Sequence, residues 1–172
     1  TNDLPIGLND TYGLVKNSIL EISDSLGILS NDSDVDGDSI FANLLDSTRN
    51  GSLELEVGGG FTYKPNEDYL GTDMFKYNLS DGLFVTDSIY VTLIITSRPI
   101  ANDDSYSIGE DSSLVVLSAS GTLSNDTDED SDELTAQTIE LTSNGELLFS
   151  SDGSFEYTPK EDFYGTDSFT YT

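Results

Sequence analysis

The chain has 172 residues, of which 33 are acidic and 6 are basic, so its formal net charge is -27. Such a charge argues against nucleic acids and anionic membranes as partners, because both would repel the chain, and it favours cations. The sequence has no Cys and no His, which excludes disulfides, thiolate metal sites and the commonest general base of enzymes.

The predicted elements are short strands, because apolar and polar residues alternate between turn residues and no helical period occurs. In chain order, the first half of the sequence predicts strands at residues 10–15, 18–22, 40–45, 52–57, 61–63, 75–77 and 89–95. Between the third and fourth strands, Asn50-Gly51 predicts a type I′ hairpin turn, since both central residues of that turn need positive φ. Seven short strands separated by regular turn signals predict an Ig-like Greek-key β-sandwich.

The second half of the chain repeats the first. Residues 5–78 align with residues 99–172 at a constant offset of 94, without a gap and with 30 identities in 74 positions. This duplication predicts two tandem β-sandwich domains, residues 1–97 and 98–172. The stretch 81–96, which holds the seventh strand, has no counterpart in the second copy. We therefore expect the second sandwich to lack its C-terminal strand, and its free sheet edge to be frayed or paired with a neighbouring molecule.

A loop after the second strand carries one amide and four carboxylates in regular spacing, and both copies keep it. Its members are Asn31, Asp32, Asp34, Asp36 and Asp38 in the first copy, and Asn125, Asp126, Asp128, Asp130 and Asp132 in the second. Hard oxygen ligands crowded into a turning loop are typical of Ca²⁺ sites. An EF-hand is rejected, because the twelfth position is Asn43 rather than Glu and no helices flank the loop. The alternative is a solvated acidic turn without an ion.

A second group of candidate ligands follows from sandwich topology, in which successive loops alternate between the two ends. The group comprises Glu67, Asp68, Asn102, Asp103 and Asp104. The first two follow the fifth strand, at the end where the chain leaves the first domain, and the other three open the second domain. We expect a calcium ion shared between the domains there. The alternative is that Glu67 and Asp68 only cap their own turn.

These motifs resemble the cadherin-like, Ig-like tandem repeats of large bacterial surface proteins. The family pattern runs roughly P-x-A-x-D-D-x-Y, G-x-L-x-N-D-x-D-x-D-x-D, N-G, D-G-S-F-x-Y-x-P and G-x-D-S-F-x-Y, and the second copy follows it almost throughout. The first copy departs at Gly7, Leu8 and Asn9, which weakens the case for a calcium site at Asn9 and Asp10. The resemblance covers nearly the whole chain and implies calcium-stiffened modules of adhesins, biofilm proteins or polysaccharide-active proteins.

Together these patterns favour a calcium-binding extracellular structural repeat, a spacer or adhesion segment of a bacterial cell-surface or secreted protein, with neighbouring repeats as partners. The alternative is a module that itself binds polysaccharide or a like domain on another cell, although the aromatic residues fall at core spacing. An enzyme is not expected, because the acidic pairs lie in repeated loops with no apolar pocket to raise the pKa of one member. Membrane insertion is not expected either, since no apolar run reaches roughly 18 residues.

Overall fold

The computed structural model describes residues 1–109 and 112–172, and it divides into two units, Thr1–Ser97 and Arg98–Thr172. The all-β prediction is confirmed within the described ranges. Three one-turn 3₁₀ helices accompany the strands, at Asp24–Leu26, Ser118–Ser120 and Thr122–Ser124. None of the helices found in the described ranges is long and apolar enough to cross a bilayer.

Unit 1 contains all seven predicted strands. They are β1 (Asp10–Val15), β2 (Leu20–Ile22), β3 (Phe41–Asp46), β4 (Gly51–Leu55), β5 (Phe61–Pro65), β6 (Gly71–Ser80) and β7 (Ile89–Thr96). One sheet has the order β1-β7-β6-β3 and the other has the order β2-β5-β4. β1 and β7 pair in parallel, whereas the other pairs are antiparallel. Most connections cross from one sheet to the other, which gives the two-layer arrangement that the strand pattern predicts.

The core of unit 1 lies between the two sheets and follows period two along each strand. Phe61 and Tyr63 of β5, and Phe75 and Tyr77 of β6, point inward and are each at most 2% exposed. The rings of Phe61 and Phe75 meet edge to face, with 5.5 Å between their centroids. The inward residues of β7 complete this core, and they are Ile89, Val91, Leu93 and Ile95. Burial of alternate large side chains therefore fixes the register of each strand.

The predicted type I′ hairpin at Asn50-Gly51 is wrong. Neither residue has a positive φ, and the strands on either side, β3 and β4, belong to different sheets. The buried carboxylate of Asp73 in β6 shapes this turn instead. It accepts hydrogen bonds from the backbone N–H groups of Arg49 and Asn50 at 3.1 and 2.8 Å. It also accepts one from the Tyr63 hydroxyl at 3.0 Å, so the turn conformation depends on a partner far away in the sequence.

Unit 2 contains shorter strands. They are β8 (Leu114–Val116), β9 (Thr138–Glu140), β10 (Gly145–Phe149), β11 (Phe155–Pro159) and β12 (Thr170–Tyr171), in sheets of order β10-β11-β8 and β12-β9. As expected, the described part of this unit has no counterpart of β7. Residues 104–109, the counterpart of β1, form no strand. Since β7 is the only sheet neighbour of β1 in unit 1, the missing seventh strand explains the missing first one.

Candidate metal centres

The acidic loop of each unit lies beside the first residues of that unit. In unit 1, Ile6 and Ser33 exchange two backbone hydrogen bonds of 2.7 and 2.9 Å, which tie the N-terminal segment to the loop between β2 and β3. In unit 2, Ile100 and Thr127 exchange the matching pair at 2.7 and 3.1 Å. The same backbone clamp therefore positions the loop in both units.

Three loop carboxylates converge in each unit, and we call this group the loop cluster: Asp34, Asp36 and Asp38 in unit 1, and Asp128, Asp130 and Asp132 in unit 2. Within each cluster, one oxygen from every carboxylate lies within 4.8 Å of the others. Asp34 Oδ1 accepts the backbone N–H groups of Asp36 and Asp38 at 2.9 and 3.2 Å. Its other oxygen, Oδ2, is buried and has no hydrogen-bond partner in the protein. A buried, uncompensated carboxylate oxygen is costly, and a cation would compensate it.

The loop bends through a residue in the left-handed backbone region. This residue is Gly37 in unit 1, with a φ of 80°, and Ser131 in unit 2, with a φ of 64°. A residue with a Cβ atom rarely adopts such a φ. Unit 2 nevertheless keeps the loop geometry, because Asp128 Oδ1 accepts the N–H groups of Asp130 and Asp132 at 3.0 and 3.4 Å. The carboxylate at the first position therefore organises the bend in both units.

A second polar group joins the loop to β1 and β6, and we call it the tyrosine cluster: Asp10, Asn31, Asp32 and Tyr77 in unit 1, and Asp104, Asn125, Asp126 and Tyr171 in unit 2. In unit 1, the Asn31 amide donates to Asp10 Oδ1 at 3.0 Å, and the Tyr77 hydroxyl donates to Asp32 Oδ2 at 2.8 Å. Asp10 Oδ2 is buried without a hydrogen-bond partner. Asn31 and Asp32, predicted together with the loop carboxylates, thus form contacts of their own.

In unit 2 the tyrosine cluster crowds oxygen atoms around one hydroxyl. The Tyr171 hydroxyl lies 3.0 to 3.3 Å from five oxygens, which are Asp104 Oδ2, both carboxylate oxygens of Asp126, and the carbonyl oxygens of Asn102 and Thr122. A phenol has one proton to donate, so most of these oxygens approach it without a hydrogen bond. Such a concentration of negative oxygen is the environment that a cation would neutralise.

The chain segment that opens unit 2 also contacts its acidic loop. The backbone N–H of Asn102 donates to Asp126 Oδ1 at 2.7 Å, and the Asn102 side chain donates to the carbonyl of Asn125 at 2.8 Å. The Asn125 side chain donates in turn to the carbonyl of Asp103 at 3.2 Å. Three predicted ligands, Asn102, Asp103 and Asp104, are thus held next to the loop of their own unit.

Burial and like charge shift the ionisation of the tyrosine cluster. Desolvation raises the pKa of Asp10 from 3.8 to about 6, and the negative charge of Asp32 raises it further against hydrogen bonds from Asn31 and Tyr77. Desolvation also raises the pKa of Asp32 and of Asp104. The pKa of Tyr77 is raised by desolvation and by its bond to Asp32, so the hydroxyl keeps its proton. Carboxylates that resist ionisation side by side would gain from a bound positive charge.

Glu67 and Asp68 lie apart from the acidic loop of their unit, on the turn between β5 and β6. Asp68 and Asn17 bond reciprocally: the Asn17 amide donates to Asp68 Oδ1 and the Asp68 N–H donates to Asn17 Oδ1, both at 2.9 Å. Both residues have a positive φ, 61° for Asn17 and 56° for Asp68. This pairing agrees with a structural role in the turn. The ion shared between the repeats stays a prediction.

Two kinds of residue in these contacts were missed by the sequence reasoning. Asp10 was judged a weak candidate, and Tyr77 and Tyr171 were interpreted as core packing only. Tyr77 is fully buried, as predicted, but its hydroxyl reaches the acidic loop. The signal that could have found both was their recurrence: Asp10 recurs as Asp104 and Tyr77 as Tyr171 at the same offset as the loop aspartates.

The buried acid of β6 was also missed, although the motif G-T-D-x-F-x-Y carries it in both copies. In unit 2 it is Asp167, which accepts the N–H groups of Ser143 and Asn144 at 3.0 and 2.8 Å and the Tyr157 hydroxyl at 2.9 Å. Desolvation alone would raise the pKa of Asp167, but these hydrogen bonds outweigh it and hold the pKa below its ordinary value. Its bonds are all satisfied within the protein fold, so this acid is structural.

The donor chemistry of both clusters suits a hard cation. All the side-chain donors named above are carboxylate, amide or phenol oxygens, and the sequence has no His and no Cys to offer nitrogen or thiolate ligands. Calcium takes 6–8 oxygens at about 2.3–2.6 Å in a flexible geometry, whereas zinc and copper favour nitrogen and sulfur. The residues present therefore fit calcium.

Comparison with protein families gives one match that covers the chain. The model of the bacterial cadherin-like domain matches it twice, at residues 2–97 and at residues 96–172. No curated protein sequence matches the chain.

Several solved structures resemble the chain at low sequence identity. Human protocadherin-24 EC1-2 is 12% identical, with a TM-score of 0.46, and the match covers 100% of this chain and 94% of that one. The endo-fucoidan hydrolase MfFcnA9 from glycoside hydrolase family 107 is 14% identical, with a TM-score of 0.44, over 99% of this chain and 32% of that one. A chimeric titin Z1Z2 is 12% identical, with a TM-score of 0.36, over 99% and 88%. The chain thus spans about a third of the hydrolase.

Proposed function

Because the chain belongs to the bacterial cadherin-like domain family, which matches it twice, we propose that it is a calcium-binding structural segment of a bacterial cell-surface or secreted protein. Bacterial cadherin-like domains are typically extracellular, non-enzymatic structural repeats. In this proposal the segment acts as a spacer in adhesion, and bound calcium ions stiffen it. The ions would be resident parts of the fold.

The observation that carries the proposal is the duplicated loop cluster. Three carboxylates converge within 4.8 Å in each unit, although like charges at that distance repel one another. In unit 1 the first of them, Asp34, also has a buried oxygen without a hydrogen-bond partner. A chain that keeps this arrangement in two copies gains most from a divalent cation, which would neutralise part of the net charge of -27.

The loop cluster would supply the main ligands of each ion. In unit 1 these are Asp34, Asp36 and Asp38, and in unit 2 they are Asp128, Asp130 and Asp132. The tyrosine cluster would supply a second group of oxygens, with Asn31 and Asp32 in unit 1 and Asp104 and Asp126 in unit 2. Because Asp32 and Asp126 stand two positions before the first loop aspartate, an ion at the loop would also relieve their repulsion.

Thermal or urea unfolding with calcium and with a chelator tests the proposal. Extracellular modules bind calcium with Kd values of about 10⁻⁴–10⁻³ M. At 10 mM calcium we therefore expect the free energy of unfolding to rise by about 1–3 kcal/mol per occupied site. Calorimetric titration of the folded chain would give the number of ions. Equal unfolding curves in calcium and in chelator would refute calcium binding.

A matched pair of variants separates a specific site from general charge screening. Asp34→Asn with Asp36→Asn removes two charges from the loop cluster of unit 1, and Glu54→Gln with Glu56→Gln removes two charges from exposed positions of the same unit. We expect the first pair to abolish the calcium-dependent gain of unit 1 and the second pair to retain it. Equal calcium responses in the two variants would mean that calcium acts only as a diffuse counter-ion.

A further inference from the structure

Unit 2 has an open groove in the wall of its sandwich. The groove has a volume of about 750 Å³ and is bordered by residues 101–109 on one side and residues 163–171 on the other. Its floor includes the core aromatics Phe155 and Tyr157, and Phe169 lines its wall. Tyr157 and Phe169 are partly exposed, whereas their counterparts in unit 1, Tyr63 and Phe75, are both 0% exposed.

Unit 1 shows which element fits at this position. There β7 lies between the counterparts of the two groove borders: it pairs with β6 in antiparallel register from Gly71 to Tyr77, and with β1 in parallel register from Asp10 to Val15. Its outward residues alternate with inward ones that are at most 6% exposed. A single extended strand with branched apolar side chains at every second position therefore closes the sandwich of unit 1.

Both borders of the groove retain the sequence that receives this strand in unit 1. Residues 165–171 read G-T-D-S-F-T-Y where β6 reads G-T-D-M-F-K-Y. Yet only Thr170–Tyr171 is a strand in unit 2, and it pairs with β9 alone. Residues 104–109 belong to no strand. A strand in the groove would find backbone partners on both sides and an apolar floor beneath it.

We propose that the groove of unit 2 is an acceptor for one extended polypeptide strand of the β7 type, that is, the C-terminal strand of a cadherin-like repeat. The strand runs antiparallel to residues 165–171 and parallel to residues 104–109, and it directs alternate apolar side chains onto Tyr157 and Phe169. Main-chain hydrogen bonds supply affinity, and the alternating apolar pattern supplies selectivity. This acceptor role is independent of calcium binding.

A peptide with the sequence of residues 87–97, DSIYVTLIITS, tests the proposal when it is added to the full chain. The control peptide carries Val91→Asp and Leu93→Asp, which keep the backbone and charge the inward face. With the first peptide we expect unit 2 to unfold at a higher temperature, by an amount that grows with peptide concentration. We also expect amide exchange at residues 104–109 and 165–171 to slow by about ten-fold or more.

Unit 1 is the internal control, because its own β7 fills the corresponding position. Exchange at residues 10–15 and 71–77 is expected to stay unchanged when peptide is added. Equal responses to the two peptides, or no response to either, would overturn the proposal. Protection of the same amides without peptide, rising with chain concentration, would also overturn it, because a second copy of the chain would then cover the groove.

Discussion

Units 1 and 2 share the motif F-x-Y-x-P-x-E-D-[YF]-x-G-T-D-x-F-x-Y, yet they form different amounts of sheet from it. The second half of the motif starts the ten-residue strand β6 in unit 1 but yields only the two-residue strand β12 in unit 2. Tyr63 is 0% exposed, whereas its counterpart Tyr157 is partly exposed. Because the local sequences are so similar, the cause lies in the neighbouring strands: β6 pairs with β7 over its first seven residues, and β12 pairs only with β9.

The difference teaches that one strand organises two others in this fold. β7 is the only partner of β1 and the second partner of β6, so it contributes both ladders and the inward residues between them. Strand preference depends strongly on cross-strand neighbours and burial. The counterparts of β1 and β6 in unit 2 keep their sequence preference but lack that neighbour. The two units therefore separate intrinsic preference from tertiary support within one chain.

Truncating the same core aromatic in both units would give the largest contrast. Phe75→Ala removes a fully buried ring, and we expect it to lower the free energy of unfolding of unit 1 by about 3–5 kcal/mol. Phe169→Ala removes a partly exposed ring, and we expect a loss below about 2 kcal/mol in unit 2. Urea unfolding followed by residue-resolved amide exchange would measure each unit. Equal losses would show that the core of unit 2 is as complete as that of unit 1.

The strands could be predicted from the sequence where period two and burial agree. Residues 10–15 were predicted as a strand, and β1 is Asp10–Val15. The turn at Asn50-Gly51 could not be predicted, because the carboxylate of Asp73 fixes its backbone from another strand. Local turn preference is outweighed there by charge-assisted hydrogen bonds to a buried acid. The loss of a strand at residues 104–109 was also unpredictable locally, since it depends on β7.

The same division holds for the candidate site. The alternate spacing of Asp34, Asp36 and Asp38 is enough to predict that their carboxylates converge, because a turning loop brings residues two apart to one side, and they do converge. The tyrosine cluster needs three separate segments, with Asp10 from β1, Asp32 from the loop and Tyr77 from β6. No spacing rule links them, so only packing reveals the group.

A pH series would sharpen the comparison of the two tyrosine clusters. Burial raises the pKa of Asp10 from 3.8 to about 6, so between these pH values the folded unit binds more protons than the unfolded chain. The free energy of unfolding of unit 1 should therefore fall as pH rises from about 4 to about 6, and level off above. We expect Asp10→Asn to remove this fall when urea unfolding is measured in chelator.

The counterpart in unit 2 serves as the control for that series. Desolvation raises the pKa of Asp104 as well, but Asp104→Asn is expected to change the pH dependence of unit 2 less than Asp10→Asn changes that of unit 1. Calcium should flatten the profile of the unmodified chain, because a nearby cation stabilises the ionised carboxylate. An unchanged pH profile in the Asp10→Asn variant would show that Asp10 ionises normally.

Exchanging the residues at the bend of the two loops would test the smallest difference between the units. Gly37 has a φ of 80° and no atom within 4 Å of an added Cβ, so Gly37→Ser isolates the backbone penalty from any steric clash. A non-glycine residue in this region costs about 1–2 kcal/mol, and loss of glycine freedom in the unfolded chain offsets about 0.4–1 kcal/mol. We therefore expect Gly37→Ser to destabilise unit 1, and Ser131→Gly to stabilise unit 2, each by about 0.5–1 kcal/mol in chelator. Urea unfolding would measure both changes. Shifts of the same sign in both units would mean that the φ of 64° at Ser131 carries no strain, and that the hydrogen bonds to Asp128 fully compensate it.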